Sequence, residues 1–558
     1  MHTDATPPLP ARSRIIGFCA AIGALLLLVY GRSLLNGFVT FDDDVLVFNN
    51  PIVQSITFSH IAYVFTHFDP ELYIPFTFLS YQFDWLIGDG SPIIFHSVNL
   101  LLHYMNVLLL AWFVFLLSGK KWISILCAVL FAIHPLNTEA VAWVSARKDL
   151  LSTLFFLISA ISYIRYRQSA SMRWYCTGLT LFAIGLLCKV MILSLPFVLI
   201  LIDLLQERKW NKAVILEKLP FFALSLLLGI VAIVGKQSNV EGVPFLTYTL
   251  LIPGNIILTL QHLFFPANLS VLYPFAPSSS SWIPVALCVM LLVASIIAAW
   301  KNRIALFGLG FFAITFLPAF ATFSKDGELY ITSDRYAYLP MIGLLFFLGS
   351  GVNALLSRST QTQRTVIIGI FLVITVVLGS LSYERSSVWQ STETLFADTV
   401  QKAPESSLAH NKLGSQLLDA GQTDQAEQQF RTSLQLLDNP RAHYNLGLVY
   451  LSRGDIQDAF TENQKAIALQ SDYAPAHVNV GYLLWQEGKI EEAVQNFRAA
   501  IADEENNTDA RIDLAVILQG QGKTEEARTL AEQVLSIDPK NTDALSLLQS
   551  LSGGSAGQ

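Results

Sequence analysis

Four clusters of ionisable side chains interrupt apolar runs between Phe41 and Tyr336. The first is Asp42-Asp43-Asp44, directly after Phe41. Paired carboxylates can take a proton from a hydroxyl, hold a cation or orient a bound molecule. Like charges side by side disfavour joint ionisation, so such neighbours differ in pKa. The second cluster is His134-Pro135-Leu136-Asn137-Thr138-Glu139 with Ser145-Ala146-Arg147-Lys148-Asp149. Arg and Lys in such a setting can hold a phosphate. Lys189 is the third, an ionisable residue between two apolar runs joined almost without a loop, which is by default a functional candidate. Asp334-Arg335-Tyr336 is the fourth. Anionic and cationic groups together suit a substrate that carries a phosphate and meets a reacting hydroxyl. The plainer readings are a solvated acidic turn and basic side chains reaching for lipid headgroups.

No phosphate-cradling loop, dinucleotide fingerprint, HExxH or GxSxG stands in a supporting context. Nucleotide-driven chemistry is therefore disfavoured, and an activated donor would arrive already attached to lipid. Three consecutive Asp are compatible with a divalent cation, but nothing requires one, and no metal-ligand set is assigned. The five cysteines all lie within or at the edge of apolar runs, giving neither a disulfide framework nor a zinc pattern.

The elements that must position these clusters follow from composition. Of 558 residues, 53% are hydrophobic and only 14% charged, against roughly 25% charged in soluble chains. The mean hydropathy of +0.49 excludes an ordinary soluble enzyme for most of the length. The net charge of −7, with no basic stripe, argues against nucleic acid as a partner. Apolar runs fill the chain to about residue 383, and a polar, Gln-rich, acidic segment follows. This predicts two domains, a membrane domain over 1–383 and a soluble one over 384–558.

The membrane domain reads as about eleven spans. The first, near 15–30, follows Arg12 and Arg14 and is read as an uncleaved signal anchor. Arg12/Arg14, Lys120/Lys121, Arg165/Arg167/Arg173, Arg208/Lys209/Lys212, Lys301/Arg303 and Arg358/Arg364 fall on alternate connections. The positive-inside bias places that set in the cytoplasm. Residues 245–265 would break the alternation if they spanned, so they are read as a re-entrant or interfacial helix. The four clusters, the long loop at about 32–95 and the C-terminal domain then share the opposite face. That loop is aromatic and acidic, too apolar to be disordered.

Beyond residue 405 the chain repeats. Ala409, Ala442, Ala476, Ala510 and Ala544 recur at 33- and 34-residue steps, as do Gly421, Gly454, Gly488 and Gly522. Ala426, Ala459, Ala493 and Ala527 keep the same steps. This is the tetratricopeptide pattern, in which small residues let paired helices approach closely. Four repeats are complete, a fifth is truncated, and Trp389–Pro404 reads as a degenerate leading helix pair. Such arrays stack into a superhelix with a peptide-binding groove. His410, His443 and His477 recur in register and read as helix-surface residues, not metal ligands.

The segments "FVTFDDDVLVFNNPIV", "YIPFTFLSY", "FHSVNLLLH", "FAIHPLNTEAVAWVSARKDLLSTLFFL", "LLCKVMILSLPFVLILIDLL", "FFPANLSVLYPF" and "SDRYAYLP" occur in this order. Together they resemble bacterial polytopic proteins with C-terminal tetratricopeptide repeats. These are related to the eukaryotic transmembrane-and-tetratricopeptide O-mannosyltransferases of the GT-C superfamily. The resemblance implies an all-α chain, a GT-C-like transmembrane domain followed by a soluble TPR α-solenoid. It implies an enzyme that transfers a hexose-type sugar, such as mannose, from a polyprenyl-phosphate carrier with inversion. Hydroxyls of exported polypeptides would be the acceptors, held in the TPR groove. The setting would be the bacterial inner membrane, with the N-terminus cytoplasmic and the repeats periplasmic. The family's acidic pair falls on Asp42 and Asp43, implied to act at the acceptor. Its basic positions fall on Arg147, Lys148, Lys189 and Arg335, implied partners of the donor phosphate. His134, Glu139, Asp149 and Asp334 would support them. The chain departs from the family where a Tyr-Arg-Pro-Leu element reads Tyr73-Ile74-Pro75-Phe76, and where Lys-Glu reads Lys189-Val190.

Two rival readings stay open. One is the same chemistry on a lipid or glycan acceptor, and the other is a non-catalytic membrane scaffold recruiting partners through its repeats. A transporter is disfavoured, because few ionisable residues sit mid-span.

Overall fold

The structure is a computed structural model that describes residues 12–69, 72–235, 245–275, 282–321, 323–325, 327–538 and 540–553. Glu71 of the first loop and Lys236 lie outside the described residues. The chain divides into two compact units, Met1–Ala403 and Pro404–Gln558.

The first unit opens with helix α1 (Arg12–Tyr30). The long loop that follows carries α2 (Phe58–Thr66) and α3 (Pro75–Gly88). It builds a small apolar core from Leu46, Val47, Val53, Val64, Phe78 and Tyr81, closed by Phe95 and Val144. Next come α4 (Pro92–Ser118) and α5 (Lys121–Ile133). Proline at the first turn opens both α3 and α4, where its missing N–H costs nothing. At His134-Pro135 the chain bends by 56° into the short α6 (Thr138–Ala142). Proline cannot continue the hydrogen-bond ladder, and the bend turns Glu139 and Trp143 back into the bundle. Then follow α7 (Arg147–Ser169), α8 (Met172–Leu186), α9 (Leu195–Leu205), α10 (Lys212–Leu216) and α11 (Leu219–Gly235).

Helix α12 (Phe245–Phe264) contains Pro253 and buries Asn255, Thr259 and His262. Helices α13 (Ile283–Lys301) and α14 (Arg303–Phe316) precede the hairpin β1 (Ser324–Lys325) and β2 (Glu328–Leu329). Helices α15 (Met341–Arg358), α16 (Gln361–Val388) and α17 (Thr392–Lys402) complete the unit. Helices α14 and α15 meet at Gly308 and Gly343, where a Cβ on Gly343 would come 2.4 Å from the Gly308 carbonyl. Only glycine permits that approach, the small-residue packing of helices in lipid.

Among the described residues, seven helices are long and apolar enough to cross a membrane, or eight if the pair bent at His134 is one span. The sequence predicts about eleven. The difference lies in the segments between α6 and α11. Helix α7 begins with Arg147-Lys148-Asp149 and ends with Arg165 and Arg167, and α8 and α9 have only 15 and 11 residues.

Trp389–Pro404, expected as a helix pair, holds the single helix α17 and belongs to the first unit. Trp389 is buried and stacks on Trp143 at 5.5 Å. The Gly37 N–H donates to the Gln390 carbonyl at 3.0 Å, and the Thr40 N–H to Thr392 Oγ1 at 2.9 Å.

The second unit is a helical solenoid. Its helix pairs are α18 (Ser407–Asp419) with α19 (Thr423–Leu436), and α20 (Pro440–Arg453) with α21 (Ile456–Leu469). Helices α22 (Ala474–Gln486) with α23 (Ile490–Asp503), and α24 (Thr508–Gly520) with α25 (Thr524–Ile537), continue the array. Helix α26 (Thr542–Gly553) ends it. The periodic alanines are wholly buried. Gly421, Gly454, Gly488 and Gly522 all take φ of 74° to 81°, the left-handed turn that releases each first helix. The histidine row stitches each pair together: His410 to Gln429 at 2.6 Å, His443 to Glu462 at 2.5 Å, His477 to Asn496 at 3.0 Å.

Candidate active site

Asp42 and Asp43 lie in the turn after Val39, and their environments are opposite. Asp43 is 1% exposed. Its Oδ1 accepts from the Ser145 N–H at 2.9 Å and the Ser145 hydroxyl at 2.5 Å, and its Oδ2 accepts from the Val39 N–H at 3.0 Å. Burial pushes its carboxyl up to about 7, against the downward pull of those hydrogen bonds. Asp43 is a clasp between the first loop and the Ser145 turn. Unlike the expectation that it acts at the acceptor, its carboxylate in this structure is turned into the protein.

Asp42 keeps 27% of its side chain exposed and is held between two ammonium groups. Lys325 Nζ donates to Oδ1 at 2.6 Å, and Lys148 Nζ lies 3.9 Å from Oδ2. Burial raises the Asp42 carboxyl, but the charges of Lys325 and Lys148 outweigh it and hold the group below the usual carboxylate range. Lys325 also donates to the Phe41 carbonyl at 2.9 Å and sits over the Phe41 ring at 3.4 Å. Its place on the short β1 strand brings it across 283 residues of sequence to Asp42. Sequence reasoning did not assign Lys325 to the site. Its only signal is a basic residue on a connection facing away from the basic side.

Three of the four basic positions converge here. Lys148, 7% exposed, lies 5.7 Å from the Trp143 ring, and burial brings its ammonium down to about 8. Arg335 stacks over the same Trp143 at 4.7 Å and over Tyr336 at 4.9 Å. It binds Glu139 Oε1 at 2.5 Å and Ser333 Oγ at 2.7 Å. Lys189 pairs with Asp149 Oδ1 at 2.5 Å and lies 5.4 Å from the Tyr336 ring. A cavity of about 30 Å³ lies beside these groups, lined by Asp149, Arg335, Tyr336, Met191, Ile192 and Leu339 among others.

Arg147 does not join them. It is wholly buried and paired with Asp84. It donates to Asn99 Oδ1 at 2.8 Å and the Phe95 carbonyl at 2.7 Å, and rests between the rings of Tyr81 and Phe95. Unlike the expectation that it meets the donor phosphate, its donors in this structure are directed at Asp84, Asn99 and Phe95. Arg147 pins the first loop to α7. His134 and Asp334 are buried supports. His134 Nε2 donates to the Leu263 carbonyl at 3.0 Å, while its Nδ1 accepts from the Leu136 N–H at 3.2 Å. Asp334 accepts from the Tyr273 hydroxyl at 2.9 Å and lies 3.6 Å from His262. Among the described residues no three His, Cys, Asp or Glu side chains converge as a metal-binding set.

Lys148, Lys189, Lys325 and Arg335 thus face Asp42, Asp149 and Glu139. These opposite charges lie in a partly dry setting where each acts strongly. The arrangement can neutralise one incoming anion and place a carboxylate beside it.

Comparison with known proteins agrees with the resemblance read from the motifs. Residues 395–474 and 484–551 match tetratricopeptide repeat families. Human protein O-mannosyl-transferase TMTC4 is 28% identical over 482 residues, 72% of this chain and 64% of the relative. Human protein O-mannosyl-transferase TMTC1 is 26% identical over 509 residues, 76% of this chain and 56% of the relative. Protein O-mannosyl-transferase F38B6.6 of Caenorhabditis elegans is 26% identical over 472 residues, 78% of this chain and 64% of the relative. The chain therefore spans less than two thirds of the length of these curated relatives. Among solved structures, the crystal structure of MamA is 22% identical, covers 27% of this chain and 88% of that one, and has a TM-score of 0.24.

Proposed function

We propose that this chain is a GT-C-type membrane glycosyltransferase. It moves a hexose-class sugar, such as mannose, from a polyprenyl-phosphate carrier to hydroxyls of exported polypeptides, with inversion. The observation that carries this is Asp42, the partly open carboxylate held between Lys325 and Lys148. Asp42 takes the proton of the acceptor hydroxyl as its oxygen bonds to the anomeric carbon. The bond from that carbon to the phosphate oxygen breaks on the opposite face, and the lipid phosphate leaves. Arg335, Lys189 and Lys148 stabilise the charge that grows on it.

Asp43 and Arg147 are positioning residues that fix the loop bearing Asp42. Glu139 orients Arg335, and Asp149 orients Lys189. The resemblance to protein O-mannosyl-transferases supports a polypeptide acceptor, and the solenoid supplies a groove that raises its local concentration. The basic connections favour the bacterial inner membrane with this site and the repeats on the periplasmic face.

Intact-mass spectrometry of exported proteins tests the reading. A native strain is compared with one carrying Asp42→Asn, at matched membrane abundance. Loss of a hexose-sized mass from particular proteins is expected. Identical spectra, with a hexose missing instead from lipids or glycans, would move the acceptor. Identical spectra throughout would leave the scaffold reading.

A further inference from the structure

A second ionic cluster occupies the other end of α7. Tyr163 lies about 22 Å along that helix from Lys148, at 1.5 Å per residue. Asp203, at the end of α9, is wholly buried. It accepts from Lys218 at 2.5 Å and the Tyr163 hydroxyl at 2.7 Å, and pairs with Arg167 at 3.0 Å. Glu217 accepts from the same Tyr163 hydroxyl at 2.8 Å and binds Arg208. Two carboxylates here meet the three cations Arg167, Arg208 and Lys218, so the cluster is positive before any ligand arrives.

Beside it opens a pocket of about 330 Å³ lined by Arg208, Lys209, Arg303, Trp210, Leu204 and Leu306. Glu207, its carboxylate, is spent on Arg303 at the surface. Lys209 has no carboxylate partner among the described residues. The Arg208 guanidinium binds Glu217 through both terminal nitrogens and also donates to the Tyr163 hydroxyl, so it lends the pocket positive charge while its fork is spent inside the cluster. The pocket also has an apolar side. Trp210 is 47% exposed, and Leu204 and Leu306 sit where the apolar α9 ends and the candidate span from Arg303 begins. An amphipathic ring where apolar helix gives way to charge belongs at a membrane–water boundary.

We propose that this pocket binds the phosphate of an anionic glycerophospholipid, at the end of the membrane unit remote from Asp42. Lys209 takes the phosphate, with Arg303 beside it at the surface and the charge of Arg208 behind it, and Trp210, Leu204 and Leu306 take the glycerol and the first carbons of the chains. A free phosphate would use the cations and leave the apolar side empty. A zwitterionic headgroup would bring its own ammonium against Lys209. The site is distinct from the proposed transfer chemistry and stands whether or not that chemistry is as described.

The test uses the full chain in nanodiscs of phosphatidylcholine with one fifth phosphatidylglycerol. Native mass spectrometry counts retained lipids, and melting is followed with and without phosphatidylglycerol. Phosphatidylglycerol is expected to be retained in preference to phosphatidylcholine, and Lys209→Ser to weaken that preference about fivefold, the worth of one cation at a lipid surface. Trp210→Ser is expected to weaken it as well, and both exposed positions leave the fold intact by size exclusion. Equal retention of the two lipids by the native chain would overturn the proposal. So would a preference that neither substitution changes, since the lipid would then sit elsewhere. Inorganic phosphate in detergent that reproduces the stabilisation by phosphatidylglycerol would overturn the lipid assignment in favour of a free phosphate.

Discussion

Replacing Arg147 separates a residue that builds the site from one that touches the donor. Arg147→Met leaves Asp84, 3% exposed, as a buried charge without its partner. Breaking a buried pair in this way costs about 3–5 kcal/mol. Asn99 Oδ1 loses its donor too, at about 1–3 kcal/mol. The total rivals the whole stability of an ordinary domain, about 5–15 kcal/mol. Arg147→Met is therefore expected to reach the membrane in low amount and to melt far below the native chain in detergent. Arg147→Met with Asp84→Leu removes the lone charge and leaves Asn99 Oδ1 without its donor. It is expected to recover most of the abundance and to transfer sugar within a few-fold of the native rate. Fluorescence-detected size exclusion over a temperature ramp reads the first outcome, and sugar transfer per folded molecule reads the second. A single variant that melts like the native chain would refute the structural role. A double variant that folds but is inactive would return Arg147 to the donor site.

Three further outcomes follow from the same geometry. Asp42→Asn is expected to lower transfer about 100- to 10,000-fold, the range for a lost general base, with melting unchanged. A loss below tenfold would remove Asp42 from the proton transfer. Lys148, with its ammonium brought down to about 8, loses its charge as pH rises through that value. The KM for the lipid donor is expected to climb above about pH 8, and Lys148→Arg, which stays charged, to flatten the climb. The Asp43 carboxyl is raised in the folded state to about 7, so the fold binds that proton more tightly than the unfolded chain does. Stability is then greatest below the ordinary Asp range and falls as pH rises from about 4 to about 7. Melting followed over that window should show the fall, and Asp43→Asn should remove that part of it.

The repeats were the most legible part of the chain, because their burial rests on alanine and glycine at fixed intervals, which survive as a pattern in one dimension. The cation clusters were legible for a related reason. A charge beside an apolar run must have a partner, and the motif order marked where to look. The assignments within the clusters were not. Asp42 and Asp43 are adjacent and identical in type, and only the Ser145 turn, 102 residues away, makes one of them a clasp. Arg147 and Lys148 are likewise neighbours on one helix turn, and Asp84 with the Phe95 carbonyl claims the first. Lys325 carries no local motif at all. Helices α7, α8 and α9 are apolar along their middles but shorter, or more charged at their ends, than the seven long apolar helices.

The stitching of residues 36–40 to residues 386–392 bears on how the protein is made. The Asn36 side chain donates to the Ser386 carbonyl at 3.1 Å and Thr40 to Thr392, across 350 and 352 residues of sequence. Trp389 supplies the back of the Trp143 wall on which Lys148 and Arg335 lie. A ribosome adds residues in order, so the loop bearing Asp42 is made early and waits for its clasp until the last helices of the unit have been inserted. The half-made chain lacks Lys325, Arg335 and this final brace, so the charged cluster becomes whole only as the last helices of the first unit are made.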